Sequence, residues 1–185
     1  MDDQYFLRRA AISDINTLSQ LAQKTFRETF IEDLSIPYPE SDLDTYFRSS
    51  ASSEFFAKTI TDSKRAVWVI QDKTNGQIVA YAIAGLCNNI PHPDVCSDQD
   101  GQLSQLYVQR DQRNHGFGQQ LMNVALSWLN EHYPKRPIWL TVCSNNLKAQ
   151  KFYTYYGFNK VGEFKYPVGK WEDDEFIMKR QADAS

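Results

Sequence analysis

The length of 185 residues suits one well-buried domain and is short for two, so we expect a single domain over residues 1–185. Hydrophobic residues make up 42% of the chain and aromatic residues 14%, which argues against a disordered protein. A formal net charge of -3 offers no basic surface, and this disfavours nucleic acid and anionic membranes as partners.

The cysteines and the N-terminal region indicate a cytoplasmic protein. Three cysteines cannot all pair, and Cys87 and Cys143 lie in apolar stretches where a reduced thiol behaves as a small hydrophobic group. The acidic residues at the N-terminus lead into no run of signal-peptide length. No later stretch approaches the ~18 apolar residues of a membrane-spanning helix.

The first third of the chain predicts one strand and three helices. Residues 5–11 alternate loosely and should form a strand that ends before Ser13, a plausible helix N-cap. Apolar residues then recur at three- and four-residue steps over 15–26, which indicates a helix with one buried face. Two prolines within residues 30–40 stop that helix, and further helices are expected over 41–48 and 53–60.

An antiparallel strand pair and a long loop follow. Residues 65–71 and 77–86 are rich in strand formers and flank Asn75-Gly76, a strong hairpin turn signal. Residues 87–101 lose periodicity, so they predict an irregular loop. Such a loop is either a solvated insertion or part of a functional site.

A glycine turn dominates the centre of the sequence. Arg113-Asn114-His115-Gly116-Phe117-Gly118 stands between a strand-like run over 103–108 and a periodic helix from about 118 to 132. Two such glycines let several backbone N–H groups point into one space at the positive end of a helix dipole, which favours phosphate. The segment lacks the third glycine of a Rossmann turn and the Gly-Lys-Ser/Thr of a P-loop. A plain strand-to-helix turn is the alternative at this point.

A second motif follows this helix. A buried-strand run over 137–143 precedes Asn146-Leu147-Lys148-Ala149-Gln150-Lys151-Phe152-Tyr153-Thr154-Tyr155-Tyr156-Gly157-Phe158, and strand-like runs follow over 158–164 and 175–180. In this order, Arg-x-x-Gly-x-Gly and Asn-x-x-Ala-x-x-Phe-Tyr-x-x-x-Gly-Phe resemble the GNAT superfamily of N-acetyltransferases, specifically over residues 103–158.

The resemblance implies a fold, a cofactor and a class of substrate. The expected GNAT fold is α/β (α+β): a central, mixed, mostly antiparallel, twisted sheet of six to seven strands with helices on both faces. Acetyl-CoA is the implied cofactor, a small-molecule amine is the implied partner, and no metal is needed. The sequence leaves open whether the edge strands of two copies pair to form a homodimer.

The same resemblance places the cofactor on the glycine turn and on the strand before it. Backbone N–H groups of the turn would hold the pyrophosphate, with a charge-assisted contact from Arg113, for which solvent exposure is the alternative. The pantetheine arm would pair with the strand backbone. The residues expected to bind acetyl-CoA are Leu106, Tyr107, Val108, Arg113, Asn114, His115, Gly116, Phe117, Gly118, Gln119, Asn146 and Tyr153.

A catalytic role is implied for Tyr153, as the general acid that protonates the departing CoA thiolate. A phenol with a pKa near ~10 can donate to a thiolate whose conjugate acid has a pKa near ~8.5 once the site is dry. Asn146, Ala149 and Tyr153 are three and four residues apart and so share one helix face. Aromatic packing is the alternative role for Tyr153.

The sequence does not identify a general base. A substrate amine with a pKa near ~10.4 is neutral in about one molecule in a few thousand at pH 7, so it must lose a proton. Many family members carry a glutamate on the strand before the glycine turn, where this chain has Gln102, Ser104 and Gln105. A water chain could serve instead, and the side chains that could bind the amine or take its proton are Glu28, Glu32 and His92.

The favoured function is transfer of an acetyl group from acetyl-CoA to a primary amine, with a small cationic amine such as a polyamine as the acceptor. Residues 27–30 and 173–178 resemble a bacterial branch that acetylates polyamines, and acidic residues follow the first helix. An acidic cleft concentrates multivalent cations. Two alternatives stay open. The acceptor is the amine of a protein, peptide or amino acid, or the chain is a CoA-binding sensor module without turnover. The absence of a glutamate on the strand before the glycine turn favours the sensor module.

Overall fold

The centre of the fold is a seven-stranded sheet with the strand order β1-β2-β3-β4-β5-β7-β6. A computed structural model describes residues 3–183, so two residues at each end of the predicted domain lie outside the described part. Every neighbouring pair in the described sheet is antiparallel except β4 and β5. This confirms the predicted mixed, mostly antiparallel sheet. The strands are β1 (Tyr5–Arg9), β2 (Arg65–Asp72), β3 (Ile78–Leu86), β4 (Gly101–Val108), β5 (Ile138–Cys143), β6 (Phe158–Val168) and β7 (Trp171–Arg180).

Helices cover both faces of the sheet. Consecutive side chains of β2 and β3 point to opposite faces, and because both strands carry apolar side chains on both faces, each face must be buried. On β2, Val67 and Val69 join the core under α1, α2 and α3, whereas Trp68 and Ile70 join the core under α4. The helices are α1 (Ile15–Phe26), α2 (Glu40–Ser50), α3 (Ser53–Thr61), α4 (Phe117–His132) and α5 (Leu147–Tyr155). None of the helices in residues 3–183 is both long and apolar enough to cross a membrane.

The start and end of α1 differ from the prediction. A 3₁₀ turn precedes the helix, and the N-cap is Asp14 rather than Ser13. The Asp14 carboxylate accepts the Ala11 N–H at 2.7 Å and pairs with Arg8 at 2.7 Å, contacts that Ser13 could not replace. At its other end α1 runs directly into a π-helical segment, Arg27–Asp33, and so the helical path extends beyond the predicted stop.

The two central strands separate soon after they meet. In the described chain β4 pairs with β5 only at Gly101 with Ile138 and at Gln102 with Trp139. A register shift against β3 leaves Ser104 as the extra residue of a β-bulge, which bends β4 further away. The resulting V-shaped opening exposes the backbone edge of the second half of β4, and α4 and α5 begin at its open end.

The loop over residues 87–100 is irregular, as predicted, but its ends are part of the structure. Cys87 and Ile90 are buried against Trp139 of β5. The buried Asp100 carboxylate accepts hydrogen bonds from the Cys96 N–H at 2.9 Å and from the Trp139 indole at 2.9 Å, and it pairs with Arg136. A fully solvated insertion is therefore the wrong description of this loop.

Candidate active site

A cleft of about 900 Å³ fills the opening between β4 and β5. Its walls come from β4 and β5, from the first turns of α4 and α5, from the π-helical segment and α2, and from β6 and β7. Of the residues predicted to bind the cofactor, His115 is not among those that line the cleft, because its exposed ring stacks on Phe117 with centroids 5.6 Å apart. The others do line it: Leu106, Tyr107, Val108, Arg113, Asn114, Gly116, Phe117, Gly118, Gln119, Asn146 and Tyr153.

The glycine turn leaves open space above the N-terminus of α4. Gly116 is the N-cap of α4 and has a φ of 78°, which disfavours any residue with a Cβ. A Cβ placed on Gly116 would meet nothing closer than the Gln119 side chain at 4.0 Å, so the protein itself does not fill this space. The first N–H groups of a helix have no partner within the helix. The geometry fits a pyrophosphate group at this point.

An ion-pair network joins the glycine turn to the π-helical segment. The Arg113 guanidinium pairs with Asp33 at 2.6 Å, and Arg110 pairs with both Asp33 and Glu32 at 2.6 Å. The Glu28 carboxylate is buried and accepts the backbone N–H of Arg110 at 2.6 Å. These acids therefore anchor Arg113 at the start of the turn and Arg110 just before it.

The predicted substrate-binding residues Glu28, Glu32 and His92 are absent from the described cleft lining. Glu28 and Glu32 are engaged by Arg110, as above. His92 lies near the start of β5, where its ring packs on Trp139 with centroids 5.1 Å apart and bonds to the Val161 carbonyl at 3.2 Å. The structure does not bring these three side chains together with Tyr153.

Helix α5 presents Tyr153 to the cleft. Asn146 caps this helix, with its side-chain oxygen accepting the Ala149 N–H at 3.2 Å. The half-buried Tyr153 ring packs against Phe152 and Phe158, with centroids 5.7 and 6.2 Å away. Burial, together with a smaller contribution from the charge of Glu175, raises the pKa of Tyr153 to about 12. Tyr153 thus both packs and keeps its phenolic proton at neutral pH, which a general acid requires.

Two acidic side chains on β7, which sequence reasoning did not assign, line the opposite wall. Asp173 accepts hydrogen bonds from the Tyr38 hydroxyl at 2.5 Å and from the Trp171 indole at 2.9 Å. Glu175 interacts with the Thr141 hydroxyl. Burial raises the pKa of Glu175 to about 7, against a lowering effect of Thr141, and the nearby charge of Asp173 adds to the rise.

The sequence does contain a signal for these residues, because exposed and inward-facing side chains alternate along β7. Along β7, Glu172 and Asp174 are exposed, whereas Asp173 and Glu175 share the face of the buried Ile177. The sequence prediction started this strand at residue 175, and so the alternation of the preceding acids was not visible. A strand start at Trp171 would have placed both acids on the inner face.

The fold and this cleft together define an acetyl-transferring enzyme, and comparison with known proteins identifies its family. Residues 24–158 match the model of the Acetyltransferase (GNAT) family, and the chain belongs to that family. An uncharacterized N-acetyltransferase of Mycobacterium tuberculosis is 28% identical over 175 residues, covering 92% of this chain and 99% of that protein. A probable spermine N(1)-acetyltransferase of Bacillus subtilis subsp. natto is 26% identical over 93 residues, covering 49% and 59%.

Solved structures confirm the fold. The PaiA N-acetyltransferase of Thermoplasma acidophilum in complex with coenzyme A has a TM-score of 0.72 at 18% identity, covering 96% of this chain and 98% of that chain. The ribosomal-protein-S18-alanine N-acetyltransferase of Escherichia coli has a TM-score of 0.67 at 18% identity, covering 98% and 96%. The chain is an acetyl-CoA-dependent N-acetyltransferase, and acetyl-CoA supplies the acetyl group as a reactive thioester.

Proposed function

We propose that this enzyme acetylates a primary amine of a small cationic molecule such as a polyamine. The observation that carries this proposal is the pair of carboxyl groups, Asp173 and Glu175, on the cleft wall opposite Tyr153. Asp173 is held by two hydrogen-bond donors, Tyr38 and Trp171, and so its charge is fixed in position. A cationic amine that enters this cleft meets charge of opposite sign.

Aromatic side chains complete the environment of these acids. Tyr46 and Tyr166 line the cleft and pack edge to face, with centroids 6.3 Å apart, and Tyr107 lines it from β4. Aromatic faces attract ammonium groups by about 0.5–2 kcal/mol and also pack against methylene chains. A polyamine combines both chemical groups. The partial match to a probable spermine N(1)-acetyltransferase agrees with this choice of acceptor.

We assign the remaining roles to the side of the cleft nearest α4 and α5. The N–H groups around Gly116 and Gly118 would hold the pyrophosphate, and the open backbone edge of β4 from Leu106 to Val108 would pair with the pantetheine amides. Tyr153 would then donate its proton to the leaving sulfur. The ion pair of Arg113 with Asp33 would keep the turn in place.

Thiol release from acetyl-CoA with a panel of amines tests the proposal. The panel contains spermidine, spermine, a monoamine of similar length with a neutral tail, a peptide with an N-terminal alanine and a free amino acid. We expect kcat/KM for the polyamines to exceed that for the monoamine by about tenfold at low salt, because the acids attract each added positive charge. Added salt should raise the KM for polyamines, since screening limits such attraction to ~8 Å.

Other results would point to the alternatives. Preferred turnover of the alanine peptide or the amino acid would replace the polyamine assignment with a peptide or amino-acid acceptor. Binding of acetyl-CoA without thiol release for any amine would indicate a sensor module. Equal use of spermidine and the neutral-tailed amine, at both low and high salt, would remove the acidic wall as the basis of specificity.

A further inference from the structure

We infer that Glu175 is the general base that accepts the proton of the substrate ammonium, an inference that rests on the proposed transfer to an amine. Glu175 pairs in register with Cys143, the last residue of β5. This is the point where β5 has already separated from β4, so the Glu175 side chain lines the open cleft. The position differs from the strand before the glycine turn, where Gln102, Ser104 and Gln105 offer no base.

Glu175 differs from the other carboxyl groups that line the cleft, because they are already engaged. Asp33 is paired with Arg110 and Arg113, and Asp173 accepts hydrogen bonds on both of its oxygens. Within residues 3–183, no ion pair involves Glu175. A carboxylate without a fixed cation is free to take a proton from a substrate ammonium.

The electrostatic surroundings of Glu175 suit this exchange. Burial raises its pKa to about 7, near the pH at which the proton must be transferred, and the negative charge of Asp173 works in the same direction. The Thr141 hydroxyl opposes the shift by stabilising the carboxylate. The charge of Glu175 in turn raises the pKa values of neutral groups around it, including Tyr38, Tyr46, Tyr107, Cys143, Tyr153 and Tyr166.

Glu175 and Tyr153 form a base and acid pair across the cleft. Both side chains line the cleft, and the charge of Glu175 contributes to the raised pKa of Tyr153. Their pKa values lie on either side of neutrality, about 7 for Glu175 and about 12 for Tyr153. Two groups whose pKa values differ in this way can act at the same pH, one accepting a proton and the other donating one.

The proton transfers balance as follows. One proton of the substrate ammonium passes to the Glu175 carboxylate and leaves a lone pair on nitrogen. A C–N bond forms between this nitrogen and the acetyl carbonyl carbon, and the C–S bond breaks. Tyr153 donates its proton to the departing sulfur and recovers one from the new amide nitrogen. Glu175 then releases its proton to solvent, so ammonium and thioester give amide, thiol and one proton.

The pH dependence of kcat/KM in Glu175→Gln tests the inference, with the best amine of the panel as substrate. In the wild-type enzyme kcat/KM should rise with increasing pH and reach a plateau above an apparent pKa of about 7. In the variant only amine that is already neutral can react. Its kcat/KM should therefore be about 10²-fold lower at pH 7 and should climb about tenfold per pH unit without that plateau.

Matched controls separate this role from a loss of structure or of charge. Glu172→Gln and Asp174→Asn alter the exposed neighbours on the same strand and should keep both the rate and the plateau. Circular dichroism and the acetyl-CoA affinity should be unchanged in Glu175→Gln. A second variant, Thr141→Val, removes the hydroxyl that stabilises the carboxylate, and so its rising limb should move to higher pH.

The results distinguish this inference from the proposed function. A wild-type enzyme that turns over an amine, with a Glu175→Gln variant of unchanged profile, would overturn the role of Glu175 and leave the acetyl transfer intact. A rising limb that stays in place in Thr141→Val would also contradict it. Failure of the wild-type enzyme to acetylate any amine would overturn the proposed function and this inference together.

Discussion

The Phe152 ring on α5 lies 3.5 Å from the position that a Cβ would occupy at Gly118 on α4. This distance is an ordinary van der Waals contact, so the protein would accommodate a small side chain at Gly118 without rearrangement. Gly118 lines the cleft, so a larger side chain at this position would extend into the cleft. Substitutions at this residue can therefore report on the cofactor rather than on folding.

The first prediction concerns cofactor affinity in Gly118→Glu. A carboxylate at the N-terminus of α4 would repel the pyrophosphate and block its approach, so the Kd for acetyl-CoA should rise at least several-fold. Calorimetric titration measures the change. Gly118→Ala serves as the matched control and should melt within a few degrees of the wild type. An unaltered Kd in folded Gly118→Glu would remove the glycine turn as the pyrophosphate site.

The second prediction concerns the proton donated to the leaving group. Tyr153→Phe keeps the ring that packs on Phe152 and Phe158 and removes only the hydroxyl. We expect kcat to fall by ~10 to 10³ while the acetyl-CoA affinity barely changes. Single-turnover measurements isolate the chemical step. A chemical step of wild-type speed would assign Tyr153 to packing alone.

The third prediction concerns the fixed charge of Asp173. Asp173→Asn retains an acceptor for the Tyr38 hydroxyl but removes the negative charge, so the KM for spermidine should rise about five- to tenfold at low salt. The KM for the neutral-tailed monoamine should change much less. Asp174→Asn is the matched control, because Asp174 is exposed and pairs with Lys165. Equal increases for both amines would contradict a charge-based role of Asp173.

The fourth prediction concerns the buried anchor of the loop over residues 87–100. Asp100→Ala leaves the Arg136 guanidinium, the Trp139 indole and the Cys96 N–H without their acceptor. The free energy of unfolding should fall by roughly 3 kcal/mol. Urea denaturation measures it, and the exposed Asp98→Ala in the same loop should stay within about 0.5 kcal/mol of the wild type. If Asp100→Ala also lowered the free energy of unfolding by no more than about 0.5 kcal/mol, solvent would have to replace these hydrogen bonds.

Local patterns in the sequence determined most of the fold. Strand alternation, helical periodicity and the Asn75-Gly76 turn predicted the order of strands and helices, because these signals depend on residues close together in the chain. The glycine turn and the Asn146 to Tyr153 spacing likewise predicted one end of a shared cleft, and the residues at these positions do line it, apart from His115. Backbone freedom at glycine and the pitch of a helix act within a few residues.

The tertiary structure alone decided which acids line the cleft. Glu28, Glu32 and His92 were the predicted candidates for binding the amine or taking its proton, yet Arg110 engages the first two and the third packs on Trp139. Glu175 reaches the cleft because β7 pairs with β5 beyond the point where β5 leaves β4. Charges find partners that are distant in the chain, and burial depends on the packing of whole elements, so neither property could be derived from local spacing.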